Sequence, residues 1–254
     1  MMDINRILNF TSTAGKIMLQ SGGETYRVEE TITRMCQAFS IDDIDVFASP
    51  TAVMVSIIVD GEIYSVVKRI SSRSTDLNKV HNINSLSRTI YKDKPSIEFC
   101  EKELEKLCVD DFYSSNITLL SAGIATSTFS VLFGGGTSDF ICAFIIGILT
   151  RALSIVLNKS SLNEFFINSI CGALISIYSI VFLNFGFINE LDKVVAGSIM
   201  LLVPGLALTN SIRDILEGQL LSGISKAAEA LFIGISNVVG TGTILHLYLK
   251  LGGM

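Results

Sequence analysis

Charge is scarce in this sequence and histidine almost absent. Asp, Glu, Lys and Arg make up only 17% of its 254 residues, and the histidines are His81 and His246 alone. Globular domains carry about a quarter charged residues, so this composition argues against an ordinary soluble enzyme. Two histidines cannot build a histidine-rich metal site. The five cysteines (Cys36, Cys100, Cys108, Cys142 and Cys171) are odd in number and have no CxxC spacing. That usage fits reduced, packed thiols rather than disulfides or zinc ligands. The net charge is −5, and no basic face recommends nucleic acid as a partner. GxxxxGK[ST], GxSxG and HExxH are all missing, so no cofactor, ATP-driven pumping or hydrolytic activity is expected. The opening M-M-D-I-N-R has no basic start followed by an apolar core. It is therefore not a signal peptide, and residue 1 is expected in the cytoplasm.

What charge there is lies unevenly. Residues 1–116 hold 13 Lys/Arg and 17 Asp/Glu, whereas the remaining 138 residues hold 6 and 7. Hydrophobic residues make up 49% of the chain, and the mean hydropathy is +0.55. A normal soluble segment is joined to a lipid-soluble one, which reads as an integral membrane protein. The expected architecture is a small α+β cytoplasmic domain over residues 1–113, followed by a membrane α-helical bundle of about five transmembrane helices over 114–254.

In the first segment, apolar spacing predicts an amphipathic helix over 3–20 that stops at Ser21-Gly22-Gly23, and a second from about Glu24 to Phe39. A short apolar stretch, Ile44 to Phe47, precedes Pro50, which breaks the chain. Residues 52–70 read as a β-hairpin turning at Asp60-Gly61. Helices then open at Thr75-Asp76 and at Pro95-Ser96. Beyond residue 116, apolar runs occupy 117–133, 140–157, 165–185, 194–209 and 230–249. A bilayer core needs roughly 20 helical residues, with about 17 the lower end, so the first and fourth runs are short. An odd span count puts the two ends on opposite sides, and the loops holding Lys159, Arg213 and Lys226 favour a cytoplasmic N-terminal domain.

Small residues four apart recur in the apolar part (Ser169/Ala173, Gly172/Ser176, Ser236/Gly240) and predict close helix packing. The segment G-S-I-M-L-L-V-P-G-L-A-L-T-N-S-I-R-D at 197–214 carries more. Pro204 removes a backbone donor inside an apolar run, and Gly205 adds freedom beside it, so the pair is a candidate helix break and hinge. Transporters place binding sites at such breaks, and Asn210, Arg213 and Asp214 follow at once. Arg151 either snorkels to the interface or faces a path. Asp139 and Glu229 are candidates for proton coupling or interfacial charges, and His246 sits near the end of the last run.

Several strings resemble the threonine/serine exporter family: A-G-K-I-M-L-Q-S-G-G-E-T-Y-R-V-E-E-T at 14–31, R-I-S-S-R-S-T-D-L-N-K-V at 69–80, G-G-G-T-S-D at 134–139 and V-P-G-L-A-L-T-N-S-I-R-D at 203–214. On that resemblance, Glu24, Arg27, Arg73 and Asp76 match the soluble-domain motif. Gly135, Asp139, Pro204, Gly205, Asn210, Arg213 and Asp214 match the membrane motifs. The resemblance implies a cell-membrane, multi-pass, non-enzymatic subunit of the split form. Its implied partners are the lipid bilayer, a second small membrane subunit of the same family and/or further copies of itself, and a small carboxylate substrate. The expected function is secondary export of threonine/serine or of dicarboxylates such as succinate, driven by the proton motive force. Arg213, Asn210, Asp214 and Arg151 are the expected substrate-binding residues. The alternative is a membrane-tethered metabolite-sensing or enzymatic domain, with the helices as anchor.

Overall fold

A computed structural model describes residues 3–108, 113–160 and 162–252. The chain divides into two compact units. The first comprises Met1–Asp111 with Leu206–Ala228, and the second Phe112–Gly205 with Glu229–Met254. Residues 206–209, read above as the end of the fourth apolar run, therefore group with the N-terminal unit, as do Asn210, Arg213 and Asp214.

In the first unit, α1 (Ile4–Gln20) is capped by the Asp3 side chain, and α2 (Thr25–Ala38) follows after Gly22, whose φ is +90°. Three antiparallel strands come next: β1 (Ile44–Ser49), β2 (Ala52–Val59) and β3 (Glu62–Arg69), in the order β1-β2-β3. Asp60 and Gly61 turn the β2–β3 hairpin with φ of 55° and 83°, the left-handed pair that suits a tight two-residue loop. Pro50 lies in a second tight turn, between β1 and β2. The stretch from Ile44 is thus a paired strand, a role that its lone apolar sequence did not declare. α3 (Leu77–Asp93) and α4 (Ile97–Leu107) start at the Asp76 and Ser96 caps. The core gathers Ile7, Met18, Ile32, Met35, Val55 and Ile83 among others. α9 (Gly205–Leu216) and the first turns of α10 (Leu220–Lys250) complete this unit.

The second unit contains α5 (Ser115–Leu132), α6 (Thr137–Leu157), α7 (Glu164–Asn184), α8 (Leu191–Ile199) with a 3₁₀ turn at Met200–Leu202, and the remainder of α10. Along α5 the residue distribution inverts that of a soluble core. α5 buries Ala122, Gly123, Thr126, Ser127 and Ser130, and exposes Ile117, Leu120, Ile124 and Leu132. Large apolar side chains outside and small or hydroxylated ones inside are what helices need when lipid is the solvent. Among the described residues, four helices (α5, α6, α7 and α10) are long and apolar enough to cross a membrane. A fifth crossing exists if Leu191–Leu202 and Gly205–Leu216 form one broken span.

The small-residue pairs meet across α7 and α10. A Cβ at Gly240 would lie 2.0 Å from the Ser169 carbonyl oxygen, and one at Gly172 would lie 3.0 Å from that of Asn237. Ser169 and Ser176 hydroxyls donate to the Ser236 and Thr241 carbonyls at 3.0 and 3.3 Å. Backbone thus meets backbone, with hydroxyl bonds alongside.

Candidate functional site

Two polar centres arise, one in each unit. In the second unit, α8 and its 3₁₀ turn stop at Val203, whose backbone is extended at φ −71° and ψ 127°. A residue preceding proline is pushed out of the helical region by the proline ring, so Pro204 enforces this end. The last carbonyls of a helix have no partner within it. That of Leu202 accepts from the Asn237 side-chain amide at 3.0 Å. Beside the break lies a cavity of about 210 Å³ lined by Thr150, Arg151, Ser154, Asn168, Leu201, Leu202, Pro204 and Ile233. At about 30 Å³ per water, this is room for roughly seven waters or a molecule of similar heavy-atom count.

Thr150, Arg151 and Ser154 share one stretch of α6, and Asn168 comes from α7. The lining carries one cation and no carboxylate. Thr150 is fully buried, and its hydroxyl has no hydrogen-bond partner among the described residues; the same holds for the Asn237 side-chain oxygen. Such a buried group, left unsatisfied, costs about 1–3 kcal/mol. The Arg151 guanidinium makes no ion pair among the described residues.

The first unit's centre forms where the Ser21–Thr25 turn meets α9. Asn210, Arg213 and Asp214 lie three and four residues apart and share a helix face. The Asn210 amide donates to the Gly22 carbonyl at 2.9 Å, and Arg213 donates to Glu24. Asp214 accepts from the Thr25 backbone N–H at 3.1 Å. That amide belongs to the first turn of α2, where helical partners are lacking. Lys226, from α10, reaches the other Asp214 oxygen at 2.7 Å. The second Glu24 oxygen takes the Arg27 Nε at 3.0 Å. The Tyr26 hydroxyl, and after it Glu24, raises the Arg27 pKa. Ser74 and Asp76 amides donate to the Gln20 and Ser21 carbonyls, while the Asp76 side chain caps α3. The 14–31, 69–80 and 203–214 strings therefore converge on one turn.

Of the residues expected to act together, the structure joins Asn210, Arg213 and Asp214 with Glu24 and Arg27. Arg151 and Pro204 line the separate cavity, and Gly205 begins α9. Asp139 is fully buried, and its contacts are backbone amides: Gly136 at 2.8 Å at the start of α6, and Asn189 and Glu190 at 3.0 and 3.4 Å at the start of α8. Glu229 is half-buried and His246 exposed on α10. Sequence reasoning had counted Lys226 only as a loop cation and had not singled out Thr150, Ser154 or Asn168. The available signal was polar residues at helical spacing around Arg151 inside an apolar run.

Asp139 spans two helix starts with both oxygens, which gives it a fastening job. Asp139→Asn turns one acceptor into a donor that faces those amides. A lower melting temperature in detergent is expected. Unchanged melting would show that these contacts do not fasten the folded protein.

The family model described as "Putative threonine/serine exporter" matches residues 9–248. A probable succinate transporter subunit, YjjP, of Klebsiella aerogenes is 23% identical over 225 residues, covering 88% of this chain and 86% of the relative. Its Escherichia coli K12 counterpart is 22% identical over 92% of this chain and 91% of its own. The threonine/serine exporter of Corynebacterium glutamicum is 25% identical over 95% of this chain but only 51% of its own length. The chain thus spans most of the first two relatives and about half of the third. No solved structure matches it. With a match over nearly its whole length and several apolar helices, this multi-pass membrane chain belongs to the threonine/serine exporter family.

Proposed function

We propose that this chain is one subunit of a secondary exporter of small polar metabolites, either threonine and serine or dicarboxylates such as succinate, driven by the proton motive force. The substrate carboxylate is held by Arg151 in the cavity beside Pro204. The observation that carries this reading is a guanidinium with no ion pair among the described residues, set beside a buried unsatisfied hydroxyl and a broken helix end. Charges at membrane depth are costly, and they face a cavity or a partner. Serine, threonine and succinate all carry a carboxylate, and each has seven or eight heavy atoms, the size that the cavity suits. A guanidinium presents a planar fork to that group, Thr150, Ser154 and Asn168 supply further hydrogen bonds, and the wall at Leu201–Pro204 can move about the break.

In this reading the Arg213–Glu24 and Asp214–Lys226 pairs hold the first unit together and do not take substrate. That unit lies in the cytoplasm, in keeping with its charge density and with Lys159 in a cytoplasmic loop. A second membrane module is supplied by another subunit. The word "subunit" in two relatives' names and the half-length match to a third support that assignment.

Proteoliposomes test this directly. The chain, purified with its membrane partner and loaded with labelled succinate, threonine or serine, should release at least one of them when protons are driven inward. The chain alone should release none. If the folded complex releases no substrate under an intact gradient, the export reading fails.

A further inference from the structure

The three-stranded sheet has two edges, and they are treated differently. At β1, the Ala48 N–H donates to the Glu29 carboxylate at 2.8 Å and the Ala48 carbonyl accepts from the Ser222 hydroxyl at 3.2 Å. Gln219 holds the other oxygen of Glu29, and burial pushes the Glu29 carboxyl above the usual range. At β3, no hydrogen bond from outside the β2 ladder reaches the backbone of Glu62–Arg69 among the described residues. Ile63 and Val67 on this edge are 70% and 62% exposed. They continue an outward face with Phe47, Met54 and Ile58, as the strand register requires. Native proteins blunt edges, because a row of free N–H and C=O groups is a template for another strand. This edge is long, and its middle is apolar.

We propose that β3 pairs antiparallel with β3 of a second copy of this chain, about a two-fold axis at Ser65. The strand is self-complementary in that register. Ile63 stands opposite the partner's Val67, Tyr64 opposite the partner's Val66, and Ser65 opposite the partner's Ser65. Glu62 stands opposite the partner's Lys68, so each end gains an opposite-charge pair, on the face that also carries Tyr64. Shifting by two residues in one direction sets Ile63 against the partner's Arg69 and Tyr64 against the partner's Lys68. Shifting the other way sets Ile63 against the partner's Ser65 and Glu62 against the partner's Val66. Only the Ser65-centred register matches apolar with apolar and acid with base. An isologous contact of this kind closes at two chains, joining two three-stranded sheets into one of six.

Cysteine cross-linking in native membranes tests the proposal on the full chain. Directly opposite residues in an antiparallel pair have Cα atoms about 4.5–5.5 Å apart, inside the range of a disulfide. The exposed native thiol is removed by Cys108→Ser. In that background Ser65→Cys should form a covalent dimer on mild oxidation, on the order of tenfold faster than Val67→Cys, whose opposite residue is Ile63. Co-produced Ile63→Cys and Val67→Cys chains should cross-link to each other, which keeps the test informative if Ser65→Cys folds poorly. The proposal is overturned if folded Ser65→Cys stays monomeric, if Val67→Cys cross-links to itself as fast, or if Ser65→Cys is captured by a different polypeptide. None of these outcomes depends on transport.

Discussion

Asp214→Ala should cost the protein about 3–5 kcal/mol, the penalty for breaking a buried ion pair by removing one partner. The side chains of Asp214 and Lys226 are 0% and 9% exposed. Among the described residues, removing the carboxylate leaves the ammonium buried with only the Gly23 carbonyl, at 3.4 Å. It also strips the Thr25 amide of its acceptor. Lys226→Met alone leaves the carboxylate buried with a single donor and should destabilise for the same reason. The double variant, Asp214→Leu with Lys226→Met, should recover much of the loss, since two apolar side chains of similar volume remove both charges together. Thermal melting followed by size-exclusion fluorescence reads all three. Single variants that melt with the unaltered protein would show that the pair is not buried in the folded molecule.

The second large effect is expected on transport. Arg151→Gln should lower efflux by roughly 30- to 5,000-fold, the rate equivalent of the ~2–5 kcal/mol lost when one partner of a desolvated charge pair is truncated. Arg151→Lys should retain part of the activity with a raised KM, because an ammonium offers a point charge where the guanidinium offers a fork. An arginine that merely anchors topology by snorkelling would be replaced by lysine without loss, so the lysine variant separates the two roles. Lys193→Gln is the control, as Lys193 pairs with the adjacent, exposed Asp192. Arg213→Gln acts differently: it unpairs Glu24 from one of its two arginines and should lower the amount of folded protein more than efflux per molecule. Full efflux by Arg151→Gln at matched abundance would remove this residue from the site.

The hairpin was legible in the sequence because a two-residue period and Asp60-Gly61 act locally. So was the shared face of Asn210, Arg213 and Asp214, since helical spacing alone fixes it. Their partners were not: Glu24 lies 189 residues from Arg213 along the chain, and nothing in either segment names the other. The grouping of Leu206–Ala228 with the N-terminal unit was hidden for another reason. Leu206, Ala207 and Leu208 are as apolar as a bilayer requires, and apolarity does not distinguish lipid from a domain surface. The cavity was illegible because Arg151, Asn168 and Pro204 sit in separate runs, and their proximity exists only after the helices pack.

The α7–α10 contact also limits what can move. Where Gly240 meets the Ser169 carbonyl and Gly172 meets that of Asn237, backbone meets backbone, with only short side chains such as Ser169, Ser176 and Thr241 alongside. Sliding by even one residue would drive a Cβ into a carbonyl, and close-packed interfaces of this kind hop between discrete arrangements rather than deform smoothly. The two helices are therefore expected to move as one rod. The extended peptide at Val203, ahead of Pro204, lies outside such a packed ladder.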